Sequence, residues 1–556
     1  MRRELAKYLR LPTLDRSQAG AVASRRPALV GGLLLVLMLL TGLGWAVSSP
    51  VESSPDEDFH LGSTWCPRPA GEYCQTSVMN GDPVARVPVA VSDDSMKCYV
   101  LHSEQSAKCA LGLSDSEMAW TKRFDASGAY PVGYYHFHHL FVGKDVQTSV
   151  LVMRGVNVLI AVALLGVVGF AAPQRLRRPF VAAIAASWVP MGIYFIASNN
   201  PSSWSLSGLL AYSAATYMAT QQKGRRRIAL VICAVIGAVM CLTSRYDSAF
   251  FLLVVGLALL LVVPWKRGGL VGLAALGAVA LLGVGTFMAS SQVSKISYFL
   301  RAFQSSDSAG SGTKQSFFER LLIGLESAPE YLGGFWGHTW TPGWYDVPLE
   351  TRSPYVLTIM AAGAFVAIAL RRGGWRKWAS MAVIVGAMVF LPAVFYANGA
   401  MEYIELYQAR YIFPLLAPTF FLMLAVDQDE DSWFTVPQAV WVTVCASLCQ
   451  AITLHTLLLR FVQGIHDPWE INLNKNIEWW WSVPVSPMMV WFLTTCVATA
   501  ALGVAMAMLT RSPQGQEEPQ EPQEAGHPSR RERARPLTAG ARRVAVRSAG
   551  RPEWTA

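Results

Sequence analysis

The sequence predicts an all-α, polytopic membrane protein of about twelve transmembrane helices, and three observations carry that reading. Hydrophobic residues make up 53% of the chain and charged ones 15%, a composition of the membrane class. Its apolar runs approach or exceed the roughly 20 residues a helix needs to cross the hydrocarbon layer. Lys and Arg recur in every second connection, as short cytoplasmic loops require.

The full-length runs are 28–47, 156–172, 180–197, 270–288, 378–396, 436–459 and 488–509, and the shorter ones are 205–220, 228–242, 249–263, 355–370 and 411–426. Before the first run stand Arg25 and Arg26, and between later ones Arg175, Arg177 and Arg178, then Lys223, Arg225, Arg226 and Arg227, then Lys266 and Arg267, then Arg371, Arg372, Arg376 and Lys377. The acidic connection at 427–431 is the exception. This alternation predicts a multi-pass protein of the cell membrane with both termini cytoplasmic. The net charge of +9 then reflects orientation, and no nucleic-acid partner is expected. Ala46-Val47-Ser48 loosely resembles a signal cleavage site, but the apolar length before it is that of a span, so an uncleaved anchor is expected.

This divides the chain into a cytoplasmic segment at 1–27, a transmembrane domain at 28–509 and a tail at 510–556. The tail is rich in Pro, Gln, Glu and Arg and is expected to be disordered in the cytoplasm. Three outer segments are long: 48–155, 289–354 and 460–487. Cys66, Cys74, Cys98 and Cys109 all fall in the first, which predicts a disulfide-bearing loop with two bridges and three possible pairings. In the second, Phe317, Phe318, Leu321, Leu322 and Leu325 recur at helical spacing, the pattern of a helix lying in the membrane interface.

Mid-span positions are expected to be free of Asp, Glu, Lys and Arg, and the ionisable groups crowd the outer ends. Four short segments stand there on one face: PDEDFH with Asp56, Glu57, Asp58 and His60; SNNPSSW with Asn199 and Asn200; SRYDS with Arg245 and Asp247; and MEYIELYQARY with Gln408, Arg410 and Tyr411. Together they suit transfer from a lipid phosphate. A carboxylate, Asp56 or Glu57, would take a proton from an acceptor hydroxyl, while Arg245 and Arg410 would grip the departing phosphate. Each has a plainer reading: an acidic cluster after a span is often a solvated loop start, Arg410 would serve as an interfacial anchor, and Arg245 would pair with Asp247. Asp58 is read as supporting its neighbours or helping to hold a divalent cation; no other cofactor and no protein metal site is expected. His136, His138 and His139, and the Trp clusters at 336–344 and 479–481, read as interfacial residues first.

PDEDFH, the AYPVGYYHFHHL segment, SNNPSSW, SRYDS and QARYIFPLL resemble the family of domain of unknown function 2142, over about residues 28–509. That family is grouped with the GT-C fold of membrane glycosyltransferases. The resemblance implies a GT-C-like architecture and an inverting enzyme that takes a polyprenyl-phosphate sugar donor and a cell-envelope glycan, lipid or protein acceptor. It puts the base at Asp56 or Glu57 and the phosphate contact at Arg410. Where the family pattern has a small residue or proline followed by His, this chain has Asp58-Phe59-His60, which leaves open which carboxylate acts. Two rival classes stand beside the enzyme: a transporter or flippase of lipid-linked sugars, which should carry charges or broken helices deep in the bilayer, and a non-catalytic envelope assembly factor.

Overall fold

The computed structural model describes residues 16–92, 97–263, 269–288, 316–338, 341–349, 354–370, 372–399, 401, 403–427 and 433–510. The expectations for the first fifteen residues, for most of the tail and for 289–315 lie outside these. Each apolar run is helical: α1 (Arg16–Ala46), then, after two short helices α2 (Glu57–Trp65) and α3 (Gly133–His139), α4 (Val146–Ala171), α5 (Gln174–Ser187), α6 (Pro190–Ile196), α7 (Ser202–Ala219), α8 (Gly224–Ser244), α9 (Tyr246–Val262) and α10 (Gly269–Met288). The amphipathic α11 (Phe317–Glu326) and the short α12 (Ala328–Gly333) precede α13 (Pro354–Ala369), α14 (Trp375–Ala397), α15 (Leu416–Ala425), α16 (Val436–Val462) and α17 (Pro487–Leu509).

Among the described residues fewer than twelve helices have the length and composition of a full span. Six of these helices are long and apolar enough to cross a membrane, and α5 with α6 make a seventh if their 88° bend is one broken span. The others are short or too polar to qualify. Pro190 explains the bend, because it opens α6 without an N–H and holds Val189 in an extended conformation. The Trp188 carbonyl at the break accepts a hydrogen bond from Gln450 Nε2 at 3.2 Å.

Two further expectations need correction. The chain is not all-α, since the loop between α1 and α4 carries an antiparallel sheet of β1 (Thr76–Met79), β2 (Asp82–Pro88) and β3 (Met118–Thr121) in that order. Asn80 and Gly81, both at positive φ, form the two-residue turn between β1 and β2; Asn-Gly is the dipeptide such hairpins select. Nor are the spans free of charge. Capping of the Thr148 N–H by Asp145 starts α4 ten residues before the expected span and takes in Arg154, which is buried; Lys377 and Arg460 are likewise buried, inside the ends of α14 and α16. Lys377 is satisfied by the Ala369 and Arg372 carbonyls.

The same loop is bridged by Cys66–Cys74 and Cys98–Cys109. Its small core of Leu61, Trp65, Val87, Val91 and Phe124 continues into Val146, Val150 and Met153 of α4, which seats the sheet on the bundle. At the bundle's other end Arg175, Gln221, Gly374, Arg376 and Asp427 line one cavity of about 390 Å³. There Asp427 accepts the Gly374 N–H at 2.8 Å, which sets its carboxylate at the positive end of α14.

Candidate active site

The site is built on the turn between α1 and α2. Asp56 closes it with φ at 62°, a left-handed conformation that Asp tolerates better than most side chains. Glu57 and Asp58 then occupy the first turn of α2, where negative charge favours the helix dipole. The three consecutive carboxylates fan out to different arginines. Glu57 is fully buried against Arg154, both of its oxygens within 3.0 Å of Nη2. Asp58 takes Arg123 through two hydrogen bonds of 2.6 and 2.9 Å. Asp56, whose side chain keeps 36% exposure, is ion-paired with Arg410 and reaches Arg123 at 3.5 Å.

Arg410 sits in the 3₁₀ turn Ala409–Tyr411 with its side chain almost fully buried. Nη1 donates to the Pro55 carbonyl at 2.9 Å, and the rings of Tyr411, Tyr345 and Phe195 lie 5.2, 5.9 and 6.0 Å from the guanidinium carbon. Gln408 accepts from the Tyr345 hydroxyl at 2.8 Å and so holds one of those rings. Arg245 approaches the Tyr411 ring at 5.4 Å and the Tyr130 ring at 5.6 Å. Two guanidinium groups therefore share one tyrosine. Arg245 also binds Asp247 through Nη2 and Nε at 2.6 and 2.9 Å, so the pairing expected of it does not remove it from the site. His60 stacks edge-on to Tyr130 at 5.0 Å; its Nδ1 meets the Tyr135 hydroxyl at 2.9 Å, while its buried Nε2 has no hydrogen-bond partner.

Electrostatics divides these groups. Burial pushes the Asp56 carboxyl up, but the charge and hydrogen bond of Arg410, with Arg123 beyond, override it and hold its pKa at about 2. Burial pushes the His60 imidazole well below its ordinary value, Asp56 opposing and Arg410, Arg245 and Arg123 adding to the shift. At neutral pH the site thus presents an ionised Asp56, a neutral His60 and fixed cations.

All four sequence segments meet here, but they do different work. Asn199 and Asn200 face the turn: the Asn199 N–H donates to Glu57 at 3.1 Å and Asn200 Nδ2 to the Pro55 carbonyl at 3.2 Å. Both are buried, and Asn199 Oδ1 has no hydrogen-bond partner. Among the described residues no group of three His, Cys, Asp or Glu side chains converges on a metal position, and where Asp58 was considered for a cation the Arg123 guanidinium already stands. His138 is tied to the Tyr134 carbonyl and to Asn157.

Sequence reasoning missed Arg123, Arg154, Tyr130 and Tyr345. Arg154 carried a signal, a lone Arg inside the apolar segment VLVMRGVNVL. Arg123 carried none, since its place depends on the sheet and on Gly62, where a Cβ would collide with the Arg123 carbonyl oxygen.

Comparison with known proteins gives a family but no characterised relative. No curated protein matches the chain. Among solved structures, the crystal structure of ArnT from Cupriavidus metallidurans bound to undecaprenyl phosphate superposes with a TM-score of 0.37 at 12% identity, covering 87% of this chain and 77% of that one. The family model described as predicted membrane protein (DUF2142) matches residues 39–419, a stretch that contains the α1–α2 turn, Asn199, Arg245 and Arg410. The chain belongs to that family of membrane proteins.

Proposed function

We propose that this protein is a membrane glycosyltransferase that moves a sugar from a polyprenyl-phosphate donor to a hydroxyl of a cell-envelope acceptor on the outer face, with both termini cytoplasmic. One observation carries the reading: of the three consecutive carboxylates, Asp56 alone is more than one-third exposed, and it lies against a buried, ring-lined arginine with a second arginine on the same tyrosine. In the reaction Asp56 takes the acceptor proton as the acceptor oxygen attacks the anomeric carbon. The bond from that carbon to the phosphate oxygen breaks, and the phosphate leaves with the electron pair. Arg410 and Arg245 neutralise it, in surroundings where charge-assisted hydrogen bonds are strong. Glu57, occupied by Arg154, is assigned a structural role, and Asp58 holds Arg123.

The amphipathic α11 supports a lipid-borne donor. It is capped by Ser316 and Glu319, exposes Phe318 and Leu322, and rests Arg320 over the Tyr396 ring at 4.3 Å. The experiment is to reconstitute the protein in vesicles with a panel of polyprenyl-phosphate sugars and a crude envelope acceptor, and to follow release of the free lipid phosphate. Release that requires both Asp56 and Arg410 is expected.

Transport of lipid-linked sugars is a second reading favoured by the 88° break between α5 and α6, since transporters employ discontinuous helices. Donor crossing the vesicle membrane intact, with no phosphate released and no loss in Asp56→Asn, would favour it.

A further inference from the structure

The guanidinium of Arg154 is 1% exposed, lies two turns into α4 and touches none of the groups assigned to the donor or acceptor. Its hydrogen bonds all end on one stretch of chain. Nη1 donates to the Ala46 and Ser49 carbonyls at 3.1 and 2.7 Å. Nη2 donates to the Pro50 carbonyl at 2.7 Å, to Ser53 Oγ at 3.3 Å and to both Glu57 oxygens, and Nε reaches Glu57 at 3.2 Å. Glu57 in turn accepts the N–H groups of Ser54 and Asn199, each at 3.1 Å. The stretch from the end of α1 to Asp56 has neither helix nor strand to satisfy its buried carbonyls, which must find donors elsewhere. An Arg can do this because it offers five donors in a planar fork; a Lys offers three at one point.

We infer that Arg154 is a positioning residue for the reaction: by gathering the Ala46, Ser49 and Pro50 carbonyls and the Glu57 carboxylate onto one guanidinium, it fixes the stretch between them, with its two left-handed residues Glu52 and Asp56, and so holds Asp56 against Arg410. This rests on the transferase reading of Asp56. The geometry is that of a clamp rather than of an ion pair kept for stability alone, since a buried pair is often replaceable by apolar residues of similar volume without loss of stability, whereas three carbonyl acceptors are not satisfied by such a replacement.

Two variants test it. Arg154→Lys retains the charge opposite Glu57 but cannot reach all three carbonyls; the double variant Arg154→Met with Glu57→Met removes both charges together and keeps the volume. In both, folded protein is expected to show kcat lowered about tenfold or more, with KM for a polyprenyl-phosphate sugar within about twofold, because the phosphate arginines are untouched. The ratio of kcat/KM at pH 4 to that at pH 7 is expected to fall from near one to about one half, as Asp56 drifts from Arg410 toward ordinary carboxylate behaviour. Wild-type kcat and an unchanged ratio in either folded variant would overturn the inference. A structure of Arg154→Lys supplies the arm independent of activity: the Asp56–Arg410 contact should be broken with the bundle unmoved, and an intact contact would overturn the clamp. Absence of turnover in the unaltered protein would count against the transferase reading and leave that structural arm standing.

Discussion

Asp56 and Glu57 are neighbours in the chain with opposite surroundings. The Glu57 carboxylate is sealed from solvent by Arg154, Ser54 and the Asn199 backbone, whereas that of Asp56 is partly open and lies between Arg410 and Arg123. A single peptide bond turns one carboxylate into structure and leaves the next available for chemistry. The device is the left-handed backbone at Asp56, which throws its side chain away from the helix that Glu57 begins.

The sharpest way to break this comparison is to neutralise each member in turn. Asp56→Asn, which tolerates the same left-handed backbone, should lower the transfer rate by about 10² to 10⁴ with a smaller loss of thermal stability than Glu57→Gln, because the Asp56 carboxylate is partly open to solvent; lipid-phosphate release against a melting curve checks both. Glu57→Gln should do its damage to the fold, because it strands a buried guanidinium, at a cost of about 3 to 5 kcal/mol, read as loss of monodisperse protein or a lowered midpoint. Next in size, Arg410→Lys should raise KM for the donor by roughly tenfold, since an ammonium replaces a fork at the phosphate. A KM unchanged by that replacement would separate Arg410 from donor binding.

Smaller effects sharpen the same contrast. The Asp56 carboxyl is held at about 2, below its ordinary 3.8, so its stabilising contribution is present above the ordinary value and disappears as pH falls through about 2. A base must be ionised, so kcat/KM should stay flat from pH 7 down to pH 4; an acid limb centred near pH 6 would point to a different base. Asp58→Asn should change least, since its Arg123 pair is partly solvated and worth no more than about 1 kcal/mol, with activity within a few-fold of the parent.

Much of the architecture was legible in advance because apolar length and basic spacing are local properties. The helical runs and the four polar segments that meet at Arg410 follow from them. The break at Pro190 was legible too, being a proline inside an apolar run, but a full-length run hid it. The sheet was signalled only by Asn80-Gly81 within a loop otherwise read through its cysteines. What could not be read was the division of labour among the carboxylates, since it depends on Arg154 and Arg123, which lie 97 and 65 positions from Glu57 and Asp58 along the chain. Hydropathy alone starts the span after Arg154, whereas Asp145 sets the start of α4 by capping its first turn. Asn199 and Asn200, polar and at the rim, read as ligand-binding residues, yet the Asn200 amide donates to the Pro55 carbonyl of the turn, and the Asn199 amide to the Val150 carbonyl of α4.

The most direct measurement is the release of free polyprenyl phosphate by vesicles carrying equal amounts of folded parent, Asp56→Asn and the Arg154→Met with Glu57→Met double variant. Asp56→Asn should be inactive while the charge-free double variant retains reduced but measurable turnover. The reverse order, with turnover surviving loss of the Asp56 charge and vanishing with the Glu57 charge in a folded protein, would contradict the assignment.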